Sequence, residues 1–204
     1  MHGVTSNPEY HINSFDKKDG PISDNFKIIL PCAPISYVDK FKSNVTSWFN
    51  IFGNIEDPIQ EKDVDIISMN ESGNRIKKII ENEAKNLNND YKKIFVGGFS
   101  QGASMTYHVG LSFEHVLGGI IALSGFPVSS TPINENNFEN LTIFSVLGGE
   151  DTIIRFDYEL NHTLTVLSKL KKLDLHIFKN ETHAVKEYEF DYVKTFINSL
   201  LYKE

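Results

Sequence analysis

The chain has 204 residues, with 27 acidic and 20 basic side chains and a formal net charge of −7. This length lets one domain, spanning residues 1–204, bury its core without disulfides or metals. The hydrophobic fraction of 40% excludes a largely disordered chain, and the acidic balance without any Lys/Arg-rich run argues against nucleic-acid binding.

Cys32 is the only cysteine, which excludes an intrachain disulfide and a metal cage built from several cysteines. No apolar run approaches the roughly 20 residues that a membrane-spanning helix needs. Residues 1–8 contain neither the basic nor the apolar segment of a signal peptide. We therefore expect a chain without a signal peptide or a transmembrane segment, and its single cysteine fits a reducing compartment.

Five short apolar runs predict the strands of a sheet. The runs are continuous rather than alternating, which is typical of parallel strands that are covered on both faces. They cover residues 26–30, 93–99, 119–123, 141–147 and 173–178.

Helical patterns, with apolar side chains every three or four residues, lie between and after these runs. Alternating strands and helices predict an α/β fold with a mainly parallel central sheet and helices on both faces. The two least regular stretches, residues 39–69 and 127–140, are expected to be long surface connections. The first helical segment begins near residues 70–73, and the others cover residues 101–111, 160–170 and 190–201.

Residues 98–102 are Gly-Phe-Ser-Gln-Gly. They match G-x-S-x-G, the nucleophile elbow, in which a serine occupies a sharp strand-to-helix turn. Glycines two residues before and after the serine avoid clashes in such a turn. An apolar run precedes Ser100 and a helical segment follows it, as the motif requires. We expect Ser100 to be a nucleophile, with the Gln101 N–H at the start of the helix as an oxyanion donor.

A serine nucleophile needs a general base and an acid that orients the base, and in this type of fold the order is serine, acid, histidine. Asp151 follows the run at 141–147 and is the preferred acid, with Glu150 and Asp157 as rivals. His183 precedes the last helix, where the base is expected. The positions of the other histidines fit less well: His2, His11, His108, His115, His162 and His176.

With these features the chain resembles the acyl-protein thioesterase, carboxylesterase and lysophospholipase family of small α/β-hydrolases. The resemblance extends from His2 to the last helix. Its most specific part is Gly-Phe-Ser-Gln-Gly in combination with Ser-Trp-Phe at residues 47–49. The other segments that carry it are residues 2–4, 31–34, 71–73, 123–125, 148–151 and His183.

The resemblance implies an α/β-hydrolase fold, a triad of Ser100, His183 and Asp151, no cofactor or metal, and a cytoplasmic location. It implies that the Val4 amide is the second oxyanion donor. The family hydrolyses thioesters and esters of fatty acids through an acyl-enzyme, so the expected substrate is an acylated protein or lipid. The resemblance also implies that residues 39–69 cover the active site, with an acyl channel lined by Trp48, Phe49, Ile51 and Phe52.

Four positions differ from the family pattern, although none replaces a triad side chain. The chain starts at the His-Gly pair, so the N-terminal strand that precedes this pair in the family is expected to be missing. The residues after Gly3, after Asp151 and before His183 also differ from the family's usual sequences. The alternative expectation is therefore a catalytically weak or inactive relative, serving as a structural or interaction subunit of a homodimer or larger assembly.

Overall fold

The computed structural model describes residues 1–15 and 26–202, in which a parallel sheet carries helices on both faces. None of the helices in these ranges is long and apolar enough to cross a membrane. In chain order the elements are α1 (Glu9–Phe15), β1 (Ile35–Val38), β2 (Ser43–Thr46), α2 (Ile66–Lys85), β3 (Phe95–Phe99), α3 (Gln101–Ser112), β4 (Gly119–Leu123), α4 (Asn137–Asn140), β5 (Thr142–Gly148), α5 (Phe156–Val166), β6 (Lys172–Phe178) and α6 (Glu189–Leu201).

The central sheet has four parallel strands in the order β3-β4-β5-β6, while β1 and β2 form a separate antiparallel hairpin. Strand β4 is buried along its whole length, and its side chains alternate between the two faces. Ile120 and Ala122 join the core that includes α2 and α3, whereas Ile121 and Leu123 pack with Phe196 of α6. Because both faces are covered, the strand is a continuous apolar run in sequence.

The predicted α/β class is confirmed, and four of the five predicted strands lie within two residues of their expected bounds. The prediction at residues 26–30 is wrong, because this segment forms no strand and Ile28 and Ile29 are 38% and 40% exposed. Strand β3 ends the sheet, and at its outer edge the Phe99 N–H donates to the Met1 oxygen at 3.2 Å. An apolar run forms a sheet strand only where a partner strand lies beside it. For residues 26–30 that partner would be the outer edge of β3, and Met1 occupies part of this edge.

The helices are of the predicted kind but differ at their ends. Asp65 caps the N-terminus of α2, accepting the Ile67 N–H at 3.1 Å, so this helix begins earlier than its apolar stripe suggests. Three leucines that the spacing assigned to helices lie just beyond the ends of α2 and α5. They are Leu87, Leu167 and Leu170.

The connections at residues 39–69 and 127–140 are more ordered than expected for surface loops. The first contains β2 and the start of α2, and it buries Trp48, Phe49 and Ile51. The second contains the short helix α4. The apolar residues in these stretches have neither helical nor strand spacing, so their burial depends on tertiary packing that periodicity does not reveal.

Candidate active site

Ser100 lies between β3 and α3 with φ 55° and ψ −121°, a strained conformation for a residue with a side chain. A Cβ atom at Gly98 would lie 2.2 Å from the Gly102 carbonyl oxygen, across the turn. A Cβ at Gly102 would lie 2.2 Å from the Met1 carbonyl oxygen, so the N-terminal segment closes against the other side of the elbow. Both glycines are therefore required for this turn.

Three side chains form a hydrogen-bonded relay. Ser100 Oγ lies 2.7 Å from His183 Nε2, and His183 Nδ1 lies 2.6 Å from Asp151 Oδ2. Asp151 Oδ1 accepts the Ile153 and Ile154 N–H groups at 2.9 and 3.0 Å. The Asp151 side chain is fully buried, and that of His183 is 14% exposed. The acid is thus held in one orientation, and the imidazole connects it to the serine.

Two glycines let the loop after β5, which carries the acid, meet the loop after β6, which carries the base. A Cβ atom at Gly148 would lie 2.6 Å from the Glu181 carbonyl oxygen. The Gly149 N–H donates to the Phe178 oxygen and the Glu150 N–H to the Glu181 oxygen, each at 2.9 Å. These main-chain bonds fix the two loops against each other.

The rival residues have other roles. Glu150 is exposed, and Asp157 pairs with Arg155 at 2.7 Å on the surface. His108 is buried with Nδ1 2.9 Å from Thr131 Oγ1, and burial lowers the pKa of His108 to about 4. The remaining five histidines have other contacts. His2 contacts Ala33, and His11 contacts Ser6. His115 contacts Tyr91, His162 contacts Glu61 and His176 contacts Asp174.

A small apolar pocket of about 10 Å³ lies beside Ser100. This volume is about what one water molecule needs. Val4, Phe49 and Ile51 are among the residues that line it, together with side chains from the loops after β4 and β5. Of the four residues predicted to line an acyl channel, Phe49 and Ile51 therefore lie at the nucleophile.

The other two predicted channel residues lie elsewhere. Trp48 is buried against the His2 ring, with ring centroids 5.2 Å apart, and its Nε1–H donates to the His2 oxygen at 2.8 Å. Phe52 is 43% exposed. Trp48 therefore fixes the N-terminal segment, and Phe52 has a surface position.

Val4 and Gln101, the predicted sources of the oxyanion amides, line the same pocket as Ser100. The Gln101 N–H is the first of α3 and has no acceptor within that helix. A Cβ atom at Gly3 would lie 3.4 Å from the Ser100 Cβ, so the N-terminal segment passes directly over the nucleophile. Thr5 then adopts φ 65° and its N–H donates to β2 at 2.9 Å, which holds this segment in place.

The side chain of Gln101 has a second role that the sequence reasoning missed. Its Oε1 accepts the Trp48 N–H at 2.9 Å, and its Nε2 donates to Ser47 Oγ and the Phe49 oxygen at 2.8 and 2.7 Å. The signal was present in the sequence, because Gly-Phe-Ser-Gln-Gly and Ser-Trp-Phe were singled out together.

Within residues 1–15 and 26–202, no group of three His, Cys, Asp or Glu side chains could hold a metal ion.

The sequence profile of the phospholipase/carboxylesterase family matches residues 1–201 of the chain. Acyl-protein thioesterase 1 of Debaryomyces hansenii is 31% identical over 189 residues, which are 88% of this chain and 78% of that protein. Acyl-protein thioesterase 1 homolog 2 of Dictyostelium discoideum is also 31% identical, over 88% of this chain and 81% of its own length.

Solved structures show the same fold. Arabidopsis thaliana SOBER1 superposes with a TM-score of 0.82 at 21% identity, covering 98% of this chain and 96% of its own. Zea mays acyl-protein thioesterase 2 superposes with a TM-score of 0.81 at 18% identity, covering 98% and 91% of the two chains.

Proposed function

Because the chain belongs to the phospholipase/carboxylesterase family of α/β-hydrolases, and is therefore an ester or thioester hydrolase, we propose that it cleaves fatty-acyl thioesters or esters through a Ser100–His183–Asp151 triad. The observation that carries this proposal is the unbroken relay of 2.7 and 2.6 Å from serine to acid. The proposal includes a single domain over residues 1–204, with residues 39–69 as the cover. It also includes a cytoplasmic location and no cofactor.

In the first step, Ser100 Oγ attacks the acyl carbonyl carbon while His183 Nε2 takes the hydroxyl proton. The buried Asp151 carboxylate holds the Nδ1–H tautomer and stabilises the imidazolium. The N–H groups of Val4 and Gln101 then hold the negative charge that develops on the carbonyl oxygen. His183 returns its proton to the leaving thiol or alcohol, and Ser100 keeps the acyl group.

In the second step, His183 accepts a proton from water, and the resulting nucleophile attacks the acyl-enzyme. The same two amides stabilise the second oxyanion. Ser100 regains its proton from His183, and the carboxylic acid leaves. Every proton transfer passes through one imidazole, so each step depends on the same hydrogen bond to Asp151.

The names of these two relatives, both acyl-protein thioesterases, support acylated proteins as substrates. The proposed substrates are palmitoyl groups on proteins or acyl chains on lysophospholipids. The pocket favours a second candidate, a short-chain carboxylesterase. A space of about 10 Å³ beside Ser100 leaves room for little more than one methyl group of an acyl chain unless the cover moves. Rates measured across p-nitrophenyl esters of increasing chain length separate the two, because a maximum at acetyl or butyrate supports the short-chain activity.

The alternative of an inactive subunit is less well supported. Val4 lies at the pocket with Ser100, so the altered N-terminal loop still reaches the nucleophile. Ser100 and Asp151 each also lie within hydrogen-bond distance of His183. A serine that served only in packing would need neither feature.

The deciding experiment is intact-mass analysis after incubation with a fluorophosphonate, with a Ser100→Ala variant as the control. We expect one adduct on the chain and none on the variant. A well-folded chain that forms no adduct would refute the proposed enzyme, and an adduct that survives in the variant would place the nucleophile elsewhere.

A further inference from the structure

Glu159 is a buried carboxylic acid close to the candidate site that the proposed mechanism does not use. It lies in the first turn of α5, shortly after Asp151, and is 0% exposed. Neither side-chain oxygen has a hydrogen-bond partner among the described residues. Arg155, at the start of the same helix, pairs with Asp157 on the surface and does not neutralise it.

The burial of Glu159 determines its charge. An ionised carboxylate without partners is far more costly to bury than a neutral one. Asp151 and Tyr107 are ionisable groups that interact electrostatically with Glu159, and neither is a cation. Burial, and then the Asp151 charge, raise the pKa of Glu159 well above its usual 4.5. Burial without a partner therefore favours the neutral acid, which has an O–H to donate.

Two further groups have hydrogen-bonding capacity that the described contacts leave unused. Thr163, one turn later on the same side of α5, is also 0% exposed, and its hydroxyl has no partner within the described ranges. The Oδ1 atom of Asp151 accepts hydrogen bonds from two N–H groups. Among the described residues, the hydrogen-bond partner of Oδ2 is His183. Since a carboxylate oxygen accepts two hydrogen bonds, one position on Oδ2 remains open.

We propose that Glu159 is a positioning residue for the reaction. Its neutral carboxyl group donates, through a buried water shared with Thr163, to the open position of Asp151 Oδ2. A buried water makes about three hydrogen bonds, and these three side chains supply them. This role rests on the proposed triad, because Glu159 acts on His183 only through Asp151.

Such a donor has two effects on the relay. It holds the Asp151 carboxylate in the orientation that faces His183. It also spreads the negative charge of Asp151, which weakens the attraction of the carboxylate for the imidazolium. Without the donor, Asp151 would attract the imidazolium more strongly and would be less well oriented.

The test compares Glu159→Gln, which keeps a neutral donor, with Glu159→Met, an apolar side chain of similar size. The readouts are the rate of fluorophosphonate labelling from pH 5 to 9 and the free energy of unfolding. We expect Glu159→Gln to keep the wild-type rate and pH midpoint. Glu159→Met is expected to fold at least as stably but to label about tenfold more slowly, the effect of one hydrogen bond to a charged group.

The pH midpoint of Glu159→Met should also move upward. If this variant labels at the wild-type rate with the wild-type midpoint, Glu159 only fills space and the proposal is wrong. If the midpoint of Glu159→Gln falls instead, the wild-type group is ionised and the proposal is also wrong.

One measurement depends neither on activity nor on the Met variant. Infrared difference spectra between the wild type and Glu159→Gln should contain a protonated carboxylic acid band at pH 7, and its absence would refute the neutral form. If the wild type forms no adduct, the proposed enzyme fails, but this spectrum still decides whether Glu159 is the neutral donor.

Discussion

Gln101 and Trp48 are joined by a hydrogen bond of 2.9 Å that links the residue after the nucleophile to the segment over the pocket. The same Gln101 side chain also donates to Ser47 and Phe49. Because the backbone N–H of Gln101 is a proposed oxyanion donor, displacement of residues 47–49 would also disturb that donor. One buried amide thus couples residues 47–49 to the proposed oxyanion site.

A Gln101→Glu substitution should separate these contacts from simple packing. The carboxylate keeps an acceptor for the Trp48 N–H but loses both donors, leaving the Phe49 carbonyl oxygen without this partner. We expect a loss of about 2 kcal/mol in the free energy of unfolding, measured by urea denaturation. Gln60→Glu is the matched control. Gln60 precedes the short 3-10 helix Glu61–Asp63, and the capping box there uses its side chain only as an acceptor, so this substitution should change stability little. Equal losses in both variants would contradict the anchoring role.

Gly98→Ala should prevent the elbow from forming. The new methyl group would lie 2.2 Å from the Gly102 carbonyl oxygen, which is backbone that cannot move without disrupting α3. We expect little folded protein, measured by circular dichroism and soluble yield. Gly97→Ala provides the control, because its new methyl group would lie 3.4 Å from the nearest atom, which belongs to the Ile121 side chain. A Gly98→Ala variant as stable as Gly97→Ala would mean that the turn relaxes easily.

Asp151→Asn should keep the fold but leave His183 in the wrong tautomer for a base. We expect the rate of fluorophosphonate labelling to fall by at least about a thousandfold. Asp157→Asn, the same change at a rival acid that pairs with Arg155 on the surface, should label within about twofold of the wild type. A large loss at Asp157 with little at Asp151 would reverse the assignment of the acid.

Ile51→Ala should enlarge the pocket beside Ser100. Ile51 lines this pocket and is almost completely buried, so the lost atoms create room where the acyl chain begins. We expect the ratio of octanoate to acetate ester hydrolysis to rise about tenfold, the scale of one or two methylenes in an apolar pocket. Phe52→Ala, at an exposed residue, should leave the ratio unchanged. An unchanged ratio in both variants would place the acyl chain elsewhere.

His108 should contribute to acid denaturation. Burial lowers the pKa of His108 from 6.5 to about 4 in the folded protein, so folding favours the neutral ring. The resulting stability is fully present above pH 6.5 and is lost as the pH falls towards 4. The loss is roughly 3 kcal/mol. Urea denaturation at pH 7 and pH 4 should therefore give a smaller difference for His108→Asn than for the wild type. His115→Asn, at an exposed histidine, should keep the wild-type difference.

The sequence was informative where one residue type and its neighbours determine the outcome. Strand β4 could be predicted because a strand covered on both faces is apolar throughout, and Ser100 because its turn requires both flanking glycines. Residues 26–30 show the limit of this reasoning. Their composition suits a strand, but strand formation depends on a neighbour that lies far away in sequence. Glu159 shows the same limit, since an acidic residue at a helix start predicts an exposed side chain, and only the packing of α5 buries it.

The bonds between the loops after β5 and β6 have a mechanical consequence. These strands are neighbours, so Asp151 and His183 move together when the sheet flexes. Ser100 is carried by β3, which is separated from β5 by β4, a span of about 10 Å. We therefore expect sheet fluctuations to change the 2.7 Å contact between Ser100 and His183 more than the 2.6 Å contact between His183 and Asp151. On warming, the nucleophile should lose its base before the base loses its acid.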